Sequence, residues 1–188
     1  MKYSLILAAI LVGFSQRSYG QADDKLLTLT LSLAQPVGDM KLSNNSSPGG
    51  SVTYDSPINE SVRLSLRGGF YLWSEKGRFT SEDFSHYSLS IPISAGMDAF
   101  FSDNSAVPFV SLHAGLNMFW GYAHTYQPYG GASSIDNQIG FIVHPEIGWR
   151  LPFSTTQFLD LRGGFTYGTG EITSFTYVTV SLGFAFAL

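Results

Sequence analysis

Bulky apolar residues alternate with small ones to the last position of the chain. Val178, Val180, Leu182, Phe184, Phe186 and Leu188 share one parity, and Thr179, Ser181, Gly183, Ala185 and Ala187 share the other. A two-residue period marks a β-strand, whose side chains point to opposite faces in turn. The second face holds no charge. Gly, Ala and Ser suit a crowded, enclosed interior better than a water-exposed surface, so the bulky face is the one expected to meet lipid.

The same period recurs upstream. Residues 27–34 read LTLTLSLA and predict a first strand that fades between Pro36 and Lys41. Residues 44–50, NNSSPGG, gather turn formers and read as a loop; a short second strand follows at 51–56 and a tight turn at 57–60. The third strand, 61–73, sets Val62, Leu64, Leu66, Phe70 and Leu72 against Arg63, Ser65, Arg67, Gly69 and Tyr71. After a polar loop at 74–83, the fourth strand, 84–101, sets Leu89, Ile91, Ile93, Ala95 and Met97 against Ser88, Ser90, Ser94, Gly96 and Asp98. Pro92 within it predicts a bulge. A turn at 102–105 leads to the fifth strand, 107–121, with Val110, Leu112, Leu116 and Trp120 opposite Ser111, His113, Gly115 and Asn117. Residues 122–136 are the longest predicted loop. The sixth strand, 137–151, opposes Phe141, Val143, Ile147 and Trp149 to His144, Glu146, Gly148 and Arg150; a turn at 152–156 follows. The seventh, 157–167, opposes Leu159, Leu161, Phe165 and Tyr167 to Asp160, Arg162, Gly164 and Thr166, and a short turn at 168–171 leads into the last strand.

These patterns predict an all-β fold: an eight-stranded antiparallel up-and-down transmembrane β-barrel. Connections after strands two, four and six are tight, and those after one, three and five are long, as in barrels with short turns on one side of a membrane and longer loops on the other. LSLRGGF at 64–70 returns as LDLRGGF at 159–165, with a fainter copy at 112–116, which fits a hairpin repeat. Aromatic residues gather near strand ends: Tyr71, Trp73, Trp120 and Tyr122 toward one side, and Phe100, Phe101, Trp149, Phe153, Phe158, Phe184 and Phe186 toward the other. This reads as two interfacial belts.

Composition agrees. The 188 residues are 15% aromatic, and only 13% are charged against about 25% in typical soluble domains. The N-terminus, Lys2 and then an apolar run from Leu5 to Phe14, reads as a signal peptide over residues 1–22, cleaved after Gly20 or Ala22. The barrel domain is then 23–188, and its lysines reduce to Lys25, Lys41 and Lys76. There is no cysteine, so there are no disulfides and no thiol chemistry. No basic patch points to nucleic acid.

If the small face lines a lumen, Arg63, Arg67, Asp98, Glu146, Arg150, Asp160 and Arg162 point inward, joined by His113 and His144, with His86 a further candidate. Buried charges persist when they pair, so these residues predict a mutually satisfied network that plugs the barrel. The functional alternative is a narrow polar path for ions or small solutes. His144 and Glu146 could share a metal, but no third histidine has matching spacing.

The C-terminus resembles the assembly signal of Gram-negative outer-membrane barrels, with Ser181, Gly183, Phe186 and Leu188 in its places; Leu188 stands where an aromatic residue is more common. The whole mature chain resembles the small outer-membrane β-barrel domain family, of the size of the OmpA transmembrane domain and OmpX. That resemblance implies a monomer in outer-membrane lipid, inserted by the outer-membrane assembly machinery. It further implies no cofactor and a structural or surface-interaction role, with loops 74–83 and 122–136 expected to contact extracellular ligands. A porin-like channel is the second expectation. His86-Tyr87-Ser88 resembles the His-x-Ser motif of lipid A 3-O-deacylases, although Leu89 stands where their Asn follows, so a lipid A hydrolase is third. A secreted soluble ligand-binding barrel is the reading outside this class.

Overall fold

The alternating segments do form strands, and each finds an antiparallel partner on both sides. The computed structural model describes residues 24–74, 84–101, 107–125, 132–170 and 174–188. The strands are β1 (Leu26–Pro36), β2 (Ser47–Pro57), β3 (Val62–Ser74), β4 (Phe84–Phe100), β5 (Val107–Thr125), β6 (Ala132–Pro152), β7 (Gln157–Thr169) and β8 (Ser174–Ala187). They close in sequence order, and β1 pairs with β8 from Leu26↔Ala187 to Pro36↔Tyr177. Closure gives every strand a partner on both sides within the wall and leaves the barrel without an edge, the condition for strands to stand in hydrocarbon. Among the described residues no helix is long and apolar enough to cross a membrane.

Parity sets the two faces as the sequence predicts. Leu31, Leu66, Ile93, Leu112, Phe141, Ile147 and Val180 are exposed on the outer wall, whereas Thr28, Ser65, Ser90, Asp98, His113 and Asp160 are buried inside. This distribution is inside-out relative to a water-soluble ligand-binding barrel, and it overturns that alternative. The signal peptide, loop 74–83 except Ser74, and the turn at 102–105 lie outside the described residues.

Four details depart from the sequence reading. First, residues 47–50 are strand, not loop. Gly49 and Gly50 fit there because a Cβ on Gly49 would fall 2.3 Å from the Tyr71 ring, and one on Gly50 would fall 3.1 Å from the Thr30 carbonyl. Turn-forming composition here serves close packing. The true connection holds a one-turn helix, α1 (Met40–Ser43), entered through Gly38 at φ 59°. Second, Pro92 makes no bulge. Gly68 opposes Ile93 and Tyr71 opposes Ser90 in one continuous register, and the β3–β4 ladder lapses between those pairs. Proline has no N–H to give to the ladder. Pro145 sits in the same kind of lapse between Val143↔Tyr167 and Glu146↔Gly164. Third, most of the predicted loop 122–136 is strand: β5 and β6 stay paired to Thr125↔Ala132. Fourth, the belts lose members to the interior. Tyr71, Trp73 and Phe158 are buried, while Phe101, Trp149 and Phe153 are exposed as expected.

The hairpin of β5 and β6 rises above its surroundings. β6 pairs with β7 only as far as Phe141↔Thr169, and β3 pairs with β4 only to Ser74↔Tyr87. β4 continues against β5 to Phe84↔Thr125. The result is a three-stranded ribbon on the side opposite the termini, with the β6 backbone from Ala132 to Gly140 paired to no described residue along its outer edge.

Candidate functional site: the barrel interior

Three layers fill the lumen. Nearest the termini, Leu26, Phe158 and Ala185 form an apolar floor, with Ala187 against it. Toward the opposite end, Tyr71, Trp73, Tyr177, Phe175, Ile142 and Ala34 form an apolar cap. Tyr177 lies with its ring centroid 5.4 Å from Tyr71 and 5.2 Å from Trp73, and Phe119 meets Phe175 edge-on at 4.7 Å. Met40 of α1 packs onto this cap from the β1–β2 connection.

Between floor and cap lies a run of alternating charge. Arg150 gives Asp160 two hydrogen bonds, from Nε at 2.8 Å and from a terminal nitrogen at 2.7 Å, and reaches Asp55 at 3.4 Å. Arg162 donates to Asp160 at 2.7 Å and to Glu146 at 3.5 Å. Glu146 also accepts from Arg67 at 2.6 Å and meets His144 Nε2 at 2.9 Å. The far nitrogen of His144 bonds the Thr166 hydroxyl. Bidentate and charge-assisted bonds of this kind can offset the cost of desolvating ions. Aromatic rings complete the packing: the Arg162 guanidinium lies 5.0 Å from the centroid of Phe109, and that of Arg150 lies 5.1 Å from the centroid of Phe100. A face of negative π density suits a cation at such distances.

Apart from His86, all nine polar residues expected inside are inside, although not in one cluster. Arg67, Glu146, Arg150, Asp160 and Arg162 join the run. Asp98 and His113 form a separate pair at 3.4 Å, both fully buried. Arg63 sits opposite Asp98 in the β3–β4 register and donates to the Asp24 carbonyl at 2.7 Å. The sequence reading missed Asp55, which is fully buried and accepts from Ser65 at 2.7 Å. Its parity with Thr53, opposite the outward Val52, was the available signal. With Asp55 included, the four inward arginines (63, 67, 150 and 162) face four carboxylates (55, 98, 146 and 160) among the described residues.

The C-terminal residues belong to the closing seam. Ser181 bonds Ser32 across it at 2.8 Å, and Gly183 faces inward, where a Cβ would meet Thr28, Thr30 and Asp160 at 3.0–3.3 Å. Phe186 stands opposite Leu27, and Leu188 is exposed, its N–H donating to the Lys25 carbonyl at 2.9 Å.

Thr166, His144 and Glu146 line up as hydroxyl, imidazole and acid, the order of a nucleophilic triad. All three are buried between cap and floor, so no substrate reaches the hydroxyl. Among the described residues no group of three His, Cys, Asp or Glu could hold a metal, and both Glu146 oxygens already serve Arg67 and His144. The His86-Tyr87-Ser88 motif lies along β4 with Ser88 opposite Gly121; the His86 side chain is outside the described residues.

No protein-family model matches the chain, and no curated protein matches it in sequence. Solved structures do match in shape. Ail, the attachment invasion locus protein of Yersinia pestis, matches with TM-score 0.53 at 12% identity, over 88% of this chain and 99% of Ail. The outer membrane protein OprG from Pseudomonas aeruginosa matches with TM-score 0.55 at 11% identity, over 91% of this chain and 98% of OprG. The outer membrane protease OmpT from Escherichia coli matches with TM-score 0.52 at 9% identity, over 89% and 98%. At such identities the likeness is one of fold, and it agrees with the closed wall, the apolar outer surface and the polar, filled lumen: the chain has the fold of the small outer-membrane β-barrels.

Proposed function

We propose that the chain is a non-enzymatic outer-membrane protein whose sealed barrel anchors a surface-interaction ribbon, formed by β4, β5 and β6 beyond the rim. The observation that carries this reading is the β6 edge from Ala132 to Gly140, on the side opposite the termini, which pairs with no described residue of β7. An open strand edge offers a row of backbone donors and acceptors, which an extended segment of a partner can join as an added strand. The attachment named for Ail, a barrel of the same fold, supports this reading. The fold alone does not decide against catalysis, since OmpT is a protease. The filled lumen, with its only histidine–threonine pair among the described residues shut beneath the cap, argues for an anchor. On this reading the chain works as a monomer in outer-membrane lipid, delivered by the outer-membrane assembly machinery, with Ser181, Gly183, Phe186 and Leu188 as its signal.

The test replaces residues 122–135 with a two-residue Asn-Gly turn, which ends the hairpin at the Gly121↔Asp136 pair. The shortened chain should keep its heat-dependent gel mobility. Cells displaying it should lose the adherence to extracellular-matrix proteins that cells displaying the full chain show. Equal adherence of the two strains would sink the proposal.

A further inference from the structure

The outer wall is not evenly convex. A cavity of about 740 Å³ opens on it, lined almost wholly by apolar groups. Its walls are two cross-strand rows that follow from the register. Leu182, Leu31, Gly50, Phe70 and Ile91 are successive partners along one row, and Phe184, Leu29, Val52, Gly68 and Ile93 along the next. The Phe70–Ile91 step falls in the β3–β4 lapse but keeps the same register. Each row contains one glycine, on adjacent strands. There the wall is bare backbone between large side chains, and a trough results.

The trough is inclined. At its foot, Leu159 lies two residues inside the start of β7 at Gln157, and Phe184 lies three from the end of β8 at Ala187. Val52 lies five residues from the end of β2, Gly68 six from the start of β3, and Ile93 seven from the end of β4. The climb from Leu159 to Ile93 is therefore five residues, or about 13 Å of height for strands rising ~3.3 Å per residue at ~40° tilt. That is roughly half of the ~25 Å apolar band of such barrels, the depth of one leaflet. Lys25 is exposed at the same rim as the foot, next to Leu188.

We infer that the trough seats one acyl chain of a phospholipid from the leaflet on the termini side. The phosphate lies at the rim near Lys25, and the chain end lies at Gly68 and Ile93. The surrounding outer surface is continuous with the trough and already meets hydrocarbon, which singles out a lipid chain as the occupant. Outer-leaflet lipid enters from the opposite rim, which the trough does not reach.

The test uses the mature chain in vesicles of phosphatidylethanolamine and phosphatidylglycerol, with traces of phosphatidylethanolamine carrying a photoreactive diazirine. Adducts are mapped by peptide mass spectrometry. A diazirine near the acyl carbonyl should mark Leu159 and Phe184, and one near the chain terminus should mark Val52 to Ile93. Both should exceed adducts on the outer wall of β5 and β6, such as Leu112 and Phe141. Gly68→Leu should lower trough adducts several-fold, whereas Gly163→Leu should leave them unchanged. Both substitutions place the new Cβ in open space, so both chains should fold. Even labelling around the wall, a reversed depth order, no effect of Gly68→Leu, or a second copy of the chain crosslinked across the trough would each overturn the inference. The wild-type pattern decides even if a variant is poorly made.

Discussion

Glu146→Gln is the sharpest probe of the lumen. The carboxylate is nearly fully buried, 2% exposed, and takes strong bonds from Arg67 at 2.6 Å and His144 at 2.9 Å, with Arg162 farther off at 3.5 Å. Charge-assisted hydrogen bonds contribute about 1.5–3 kcal/mol each. The glutamine amide matches the carboxylate in shape and keeps one accepting oxygen, so one of the two strong bonds survives. The other is lost, and of the two arginines on Glu146 only Arg162 keeps a recorded carboxylate partner, Asp160. The expected loss is about 3 kcal/mol, at the lower edge of the ~3–5 kcal/mol found when one partner of a buried pair is removed. Urea unfolding of the refolded barrel in detergent micelles, read by tryptophan fluorescence and by gel mobility, measures it. The double variant Arg67→Met, Glu146→Met should regain part of the loss, because a buried pair removed together leaves fewer stranded charges. A change of under about 0.5 kcal/mol for Glu146→Gln, the ordinary range of surface substitutions, would refute the network as a stabilising element.

Other outcomes follow from the same geometry. Planar-bilayer conductance of the folded chain should be silent; reproducible small steps altered by substitution at Arg67 or Glu146 would put the porin-like path ahead of the sealed anchor. Trp73→Ala should cost about 3–5 kcal/mol in the same urea assay, because it empties the centre of the cap; a cost below 1 kcal/mol would mean that the cap is loosely packed. Pro92→Ala supplies the missing N–H to the β3–β4 ladder opposite Gly69 and should gain about 1 kcal/mol while slowing amide exchange at Gly69; unchanged exchange would show that the lapse has another cause. Gly183→Val should hinder barrel formation through contact with Thr28, Thr30 and Asp160, whereas Phe186→Ala should leave the refolded barrel stable and lower its outer-membrane level in cells. Equal surface levels for Phe186→Ala and the natural chain would remove Phe186 from the assembly signal.

The wall was legible because parity is a local property that hydrocarbon enforces on every strand. Wherever alternation alone was followed, as at Arg63, Asp98, His113 and Arg162, the side chain lies where it was placed. Errors arose where composition was allowed to outweigh parity. Gly49, Gly50 and Pro48 look like a turn, yet they pair in β2, where Tyr71 needs the space above Gly49 and the Thr30 carbonyl that beside Gly50. Trp73 and Phe158 look like belt residues because they stand near strand ends, yet their parity is that of the lumen, and they close it. Asp55 was lost with the weak reading of its strand, although it balances the lumen charge. What the sequence could not disclose was the trough, because it depends on which residues of six different strands fall side by side. Register is a property of the closed ring and of no single strand.

The seam between β1 and β8 has a consequence in time. Its partners, such as Ser32 and Ser181, stand 149 positions apart in sequence, so the contact that closes the ring is also the one that must wait for every other strand. Contacts between distant residues form slowly, since the entropy of bringing them together is lost before they reward it. Until the last strand arrives, β1 offers an unsatisfied backbone and a row of leucines to any passing strand. A nascent chain of this design is most vulnerable just before β8 is made. It has to be held apart from its copies until residues 174–187 are available, and those residues then remove the hazard and complete the ring in one step.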